Sequence, residues 1–186
     1  MTRFLVYAAL AVILTAGLPA LAGDKEGARV KPLPDGYKQF KLGTSRKLLE
    51  RKVTPEYTVE PAPDAKIMVV EVKGTEIHGI LLVLWKEKLA SITLVFQEGY
   101  TLERVKASLV KTYGEPSKAD PIETVWVDSK HVMALKFEYS IMDMRNRVTV
   151  SYTDIGAYQE IKESVTKGRF GLGPGKGRGK GDVPPQ

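Results

Sequence analysis

The stretch from His78 to Phe96, HGILLVLWKEKLASITLVF, constrains this chain more than any other. HGILLVLW is almost continuously apolar over eight positions, too short for a buried helix and right for a strand. Such a strand must be covered on both faces or lie under a partner. Lys86-Glu87-Lys88 then turns the chain. In the return run, Ile92, Leu94 and Phe96 alternate with Ser91, Thr93 and Val95, the period of two that marks one buried face. A sheet core is therefore required. With no Cys in the chain, neither a disulfide nor a cysteine-based metal site can substitute for that core.

Around this hairpin the pattern predicts an α+β chain. Lys66–Val72, Ile77–Trp85 and Leu89–Gln97 are strand candidates in the first half. Glu123–Asp128, His131–Tyr139 and Asn146–Thr153 are their counterparts in the second. In His131–Tyr139, Met133, Leu135, Phe137 and Tyr139 share a face opposed to Lys136 and Glu138. Thr44 is positioned to cap a short helix running to about Val53, with Leu48 and Leu49 as its apolar contacts, and the prolines at 55, 61 and 63 end it. In the second half Thr101 caps a helix whose stripe is Leu102, Val105, Leu109 and Tyr113. Gly114 and Pro116 terminate it. Asp154 is placed to cap a last helix through Ile155, Tyr158, Ile161 or Lys162, and Val165. The halves share one order, and the sequence predicts a duplicated helix–β–β–β unit, spanning about 40–97 and 98–166, that forms an antiparallel sheet with helices on one side.

The ends differ from this body. MTRFLVYAALAVILTAGLPALAGDKEG opens with Arg3, continues apolar from Phe4 to Leu18, breaks at Pro19 and offers Ala20-Leu21-Ala22 as a small-residue cleavage site. That is the pattern of a secretory signal over residues 1–22, and the apolar run falls short of the roughly 20 residues a membrane span needs. The expectation is a periplasmic or secreted protein with no transmembrane segment in the processed chain. Residues 23–39, with Pro32 and Pro34, read as an extended arm. Residues 167–186, KGRFGLGPGKGRGKGDVPPQ, read as a disordered basic tail with five Lys or Arg against one Asp. Between 23 and 166, 22 basic residues oppose 21 acidic ones, so the body is nearly neutral and no specific nucleic-acid face is expected.

YGEP behind the second helix, with Gly114-Glu115-Pro116 and the later Trp126, resembles the SmpA/OmlA (BamE-like) envelope domain. A tandem pair of such units is similar to the β-lactamase inhibitor protein fold. The resemblance implies a protein-interaction role in the cell envelope and implies no enzyme.

Chemistry-bearing candidates are few. His78 and His131 sit in strands without a metal-ligand spacing, and no nucleophile elbow accompanies Ser91, Ser129 or Ser140. No catalytic residue, metal ligand or cofactor is expected. Glu87, Glu103 and Glu138 are interleaved with Lys or Arg and read as a solvated, charge-balanced face. As strand aromatics Trp85 and Trp126 read first as core or sheet-face packing; as binding candidates they are rigid aromatic contacts for a protein or glycan, together with Lys176, Arg178 and Lys180 as an electrostatic grip on an anionic polymer. The leading expectation is a non-enzymatic module that binds an envelope protein or envelope component through its sheet surface. The alternatives are a small-ligand carrier, or a hydrolase or isomerase with its site on the sheet face. Sequence fixes neither the partner nor the oligomeric state.

Overall fold

A computed structural model describes residues 31–72, 75–140 and 142–166. Its frame is one antiparallel sheet of eight strands. A small hairpin, β1 (Gly36–Tyr37) and β2 (Phe40–Lys41), leads into α1 (Arg46–Lys52). A meander follows: β3 (Tyr57–Ala62), β4 (Ala65–Glu71), β5 (Ile77–Trp85) and β6 (Lys88–Phe96). The second half repeats the order with α2 (Leu102–Tyr113), β7 (Lys118–Ala119), β8 (Glu123–Val127), β9 (His131–Ser140) and β10 (Arg145–Asp154), and α3 (Ile155–Thr166) closes the described chain. Across the sheet the strands run β3-β4-β5-β6-β10-β9-β8-β7, so each meander starts at an outer edge and the two meet at a β6–β10 seam.

Each half contains four strands rather than the three expected. The additional strands are both edge strands. β3 carries Pro61, which cannot donate to a ladder and so suits an edge, and its register shifts between Val59 and Ala62. β7 is two residues long and leaves no period to detect. The tight turn at Lys86 and Glu87 places both residues at positive φ (46° and 64°), as short hairpins demand.

One face of the sheet carries the larger core. Met68, Ile80, Leu82, Leu84, Ile92, Leu94, Met133, Leu135, Val148 and Val150 pack there with Leu49 of α1, Val105 of α2, and Leu33 and Phe40. Residues 31–39, expected as an extended arm, dock against the body. Lys31 N–H donates to the Tyr113 carbonyl at 3.1 Å, and Leu33 N–H to Asp128 Oδ2 at 2.7 Å. α3 lies on the opposite face, where Tyr158 and Ile161 pack on Ile67, Val83, Trp85 and Ala90. The expectation of helices on one side is therefore corrected to two on one face and one on the other. The cause is the continuous apolarity of β5: Leu81, Val83 and Trp85 alternate with Ile80, Leu82 and Leu84 and need a cover of their own.

α1 begins after Ser45 rather than Thr44, and only Leu49 of its two leucines is buried; Leu48 is 44% exposed. Thr101 caps α2 as expected, accepting from Arg104 N–H at 3.3 Å. Asp154 caps α3 through Ala157 N–H at 2.8 Å. Among the described residues no helix is long and apolar enough to cross a membrane.

Candidate functional site

Trp126 is wholly buried, and its indole N–H donates to the Gly114 carbonyl at 2.9 Å. Gly114 ends α2 at φ 89°, where a side chain would be strained. The glycine, the turn and the tryptophan thus form one structural tie between helix stop and strand. Of the two readings of Trp126, core packing is the one its burial fits, and it offers no surface contact. Trp85 is 5% exposed and closes the floor of an open cleft. Lys176, Arg178 and Lys180 lie outside the described residues.

The exposed large apolar groups lie elsewhere. Phe137 and Tyr139, expected to share the buried face of β9 with Met133 and Leu135, do lie on that face but are 58% and 50% exposed. Met133 and Leu135, at the other end of the file, are wholly buried in the core that also takes Val105 of α2. Ile122, 77% exposed, immediately precedes β8, and the register pairing Glu123 with Lys136 brings it beside Phe137. Exposed ion pairs stand on the other face of these strands: Arg145, in register with Ser140 and on the side of Arg147, pairs with Glu98 at 3.1 Å, and Lys118, in register with Val125, pairs with Asp120 at 2.8 Å. Hydrogen bonds from Lys118 and from the Ile122 and Glu123 amides hold the Asp120 carboxyl down at about 2. Those amide bonds order the turn between β7 and β8.

On the opposite face the second half carries a band of buried charge. Lys136 Nζ lies 3.1 Å from Glu123 Oε1, with both side chains under a tenth exposed. The approach is off the hydrogen-bond direction, an ion contact without an aligned bond. Glu138 accepts from Thr149 Oγ1 at 2.7 Å, and burial pushes its carboxyl above the usual range against the pull of Thr149 and Lys136. Arg147 Nε donates to Asp143 Oδ2 at 2.9 Å. Glu138 is therefore corrected from a solvated residue to part of an interior polar band. Glu87 is exposed and pairs with Arg46 at 3.1 Å, and Glu103 is exposed, as expected. His78 Nε2 is 3.8 Å from Asp143, and His131 Nδ1 is 3.6 Å from Asp128. Among the described residues no group of three or more His, Asp or Glu is arranged to hold a metal.

The cleft at Trp85, about 470 Å³, opens between the β5–β6 turn and the first turns of α3. Leu89, Ala90 and Ala157 line it with Trp85, and Lys86, Lys88, Asp154 and Glu160 supply its charge. Gly43 and Gly156 leave it unfilled. These residues come from three segments far apart in sequence, and only the small residues at 43, 156 and 157 signalled a gap.

The family model for the TP0088 domain matches residues 35–164. The chain belongs to that family. The TP0088 domain match runs from the β1–β2 hairpin into α3, and so spans both meanders as one unit. No curated protein matches the sequence. Among solved structures, a cysteine-rich secretory protein (SAV1118) from Staphylococcus aureus subsp. aureus Mu50 aligns at a TM-score of 0.41 and 9% identity over 62% of this chain. The chain spans 45% of that protein's length.

Proposed function

We propose that this TP0088 domain is an exported, non-enzymatic module that binds a protein through the open end of its helix-covered sheet face. The observation that carries the reading is the exposed group Ile122, Phe137 and Tyr139 on an otherwise packed face. Exposed, rigid aromatic side chains have the composition of a protein-binding hot spot. The near-neutral body, with 22 basic against 21 acidic residues over 23–166, favours a protein over an anionic lipid surface, which would select for an excess of Lys and Arg. Export rests on the signal-like pattern at residues 1–22.

The finer architecture belongs to the same proposal. A helix followed by a four-stranded meander occurs twice, and the sheet order is symmetrical about the seam; both support a duplicated unit of the kind built into the β-lactamase inhibitor protein fold. The resemblance to the BamE-like domain rests on Gly114-Glu115-Pro116 and Trp126, whose geometry here is that of a scaffold.

The test is capture from a cell-envelope fraction by three proteins: the chain from Gly23, the same chain carrying Phe137→Asp and Tyr139→Asp, and the chain truncated after Thr166. A partner retained by the first and third and lost by the second is the expected result. Equal capture by the double variant overturns the reading. Loss only on truncation moves the function to the basic tail.

A further inference from the structure

The Trp85 cleft has a charge arrangement that the apolar patch on the other face does not share. Its volume of about 470 Å³ falls within the range of small-molecule sites, roughly 300–1,000 Å³. Its floor is apolar: Trp85, Leu89 and Ala90 are each 5% exposed or less. Four charged side chains line it, two of each sign, and they are not equivalent. Glu160 Oε2 accepts from Lys86 Nζ at 2.7 Å and from the Trp85 indole N–H at 3.0 Å, so Lys86 and Glu160 satisfy one another at one side. Lys88, on the strand wall, pairs with no carboxylate among the described residues. Asp154, at the helix wall, spends Oδ1 on capping Ala157 and pairs with no cation there. One ammonium and one carboxylate thus remain uncompensated around a cleft that is neutral as a whole.

We infer that this cleft is a binding site for a small dipolar ligand of the amino-acid or dipeptide class. Lys88 takes the ligand carboxylate, Asp154 takes its ammonium group, and the apolar side chain rests against the Leu89, Ala90 and Ala157 surface. A purely anionic ligand would leave Asp154 facing like charge, and a purely cationic one would do the same to Lys88. Gly156 and Ala157 matter because larger side chains there would occupy the ligand's space. This site is separate from the Phe137 surface, and neither requires the other.

The experiment is a titration of the full chain, followed by amide and indole NMR shifts, with glycyl-leucine, N-acetylglycyl-leucine and glycyl-leucinamide. The expected result is saturable shifts from glycyl-leucine at the Trp85 indole and at the Gly43, Gly156 and Ala157 amides. Each blocked derivative should bind about five-fold more weakly, the loss of one partly exposed charge pair. Lys88→Ala should abolish the difference between the dipeptide and its amide. Asp154→Asn, which keeps a capping oxygen, should abolish the difference between the dipeptide and its acetylated form. Ala157→Leu should remove binding with the melting temperature retained. The absence of shifts around the cleft at about 10 mM glycyl-leucine, a concentration that detects even millimolar affinity, overturns the inference. So does equal binding of either blocked derivative, which would reduce the cleft to a site for a single charge.

Discussion

In the first half of the sheet, Ile67, Val69, Leu81 and Val83 face α3 and Met142. On that same face in the second half stand Glu123, Lys136, Glu138, Arg147 and Thr149. On the other face the contrast reverses: Leu49, Leu82 and Leu84 lie sealed in the first half, while Phe137 and Tyr139 in the second are open to water. The strand connections are the same in both halves. Connectivity follows from where the apolar periods start and stop, whereas the available surface follows from which positions each helix happens to cover. The first half is built to be closed, and the second keeps both its buried charge and its exposed aromatics.

The largest way to break this contrast is Lys136→Ala. It leaves Glu123 buried without its cation and should cost about 3–5 kcal/mol in urea unfolding. Glu123→Leu with Lys136→Met should recover most of that loss, because a well-packed apolar pair substitutes for a buried ion pair. If the double variant is as unstable as the single one, the polar band is indispensable to the second half. In the first half, Leu49→Ala should cost about 2–5 kcal/mol, while Leu48→Ala on the same helix stays within about 0.5 kcal/mol.

Asp128→Ala removes the acceptor shared by the Leu33, Lys130 and His131 amides and should cost about 1–3 kcal/mol. Hydrogen exchange at Leu33 should rise first. Burial would raise the Asp128 carboxyl, but those amides outweigh it and hold it below its usual value. Its stabilisation is present above the unfolded carboxylate range and is lost as pH falls through the lower folded value. Glu138 has the opposite sign. Its raised folded value makes the native state bind a proton more tightly than the unfolded chain, so stability falls as pH rises from the unfolded to the folded value. Glu138→Gln should therefore raise stability near neutral pH, with the gain vanishing under acid conditions in a pH series of melting curves. The smallest effect on stability is expected at the exposed pair: Phe137→Ala and Tyr139→Ala should each change it by less than about 0.5 kcal/mol while removing partner capture.

The α+β class and six of the eight sheet strands were legible because their periods are long: nine or ten residues in β5, β6, β9 and β10 fix both the element and its buried face. β3 and β7 were not legible. Prolines obscured the first, and the second is too short to carry a pattern. Phe137 shows the limit of periodicity. Alternation correctly assigned its face, but its exposure depends on what the fold lays over that end of the strand, which no local pattern contains. Lys136 and Glu138 show the converse, since a polar file in a strand reads as solvated unless the curvature and cover of the sheet are known. The Trp126–Gly114 tie lay half in view, because the glycine and proline marked the stop while the partner of the indole N–H depended on the fold.

The seam between the meanders has a consequence for the order in which the molecule is built. Within each half, every strand pairs with its neighbour in sequence, so closing a meander joins residues only a few tens of positions apart. The seam is different: Ser91 and Thr153 stand 62 positions apart, and the register from Ser91–Thr153 to Val95–Thr149 is the join between the two sheets. Loop-closure entropy makes such a contact a late event. The first meander can form while β10 is still unpaired, and until then the polar row of β6, Ser91 and Thr93, lies along an open edge. Ser91 reaches its partners, the Tyr152 carbonyl and the Thr153 hydroxyl, only when the last strand arrives. Loop-closure entropy thus predicts that the seam's row of backbone and hydroxyl hydrogen bonds forms after the local pairings within each meander.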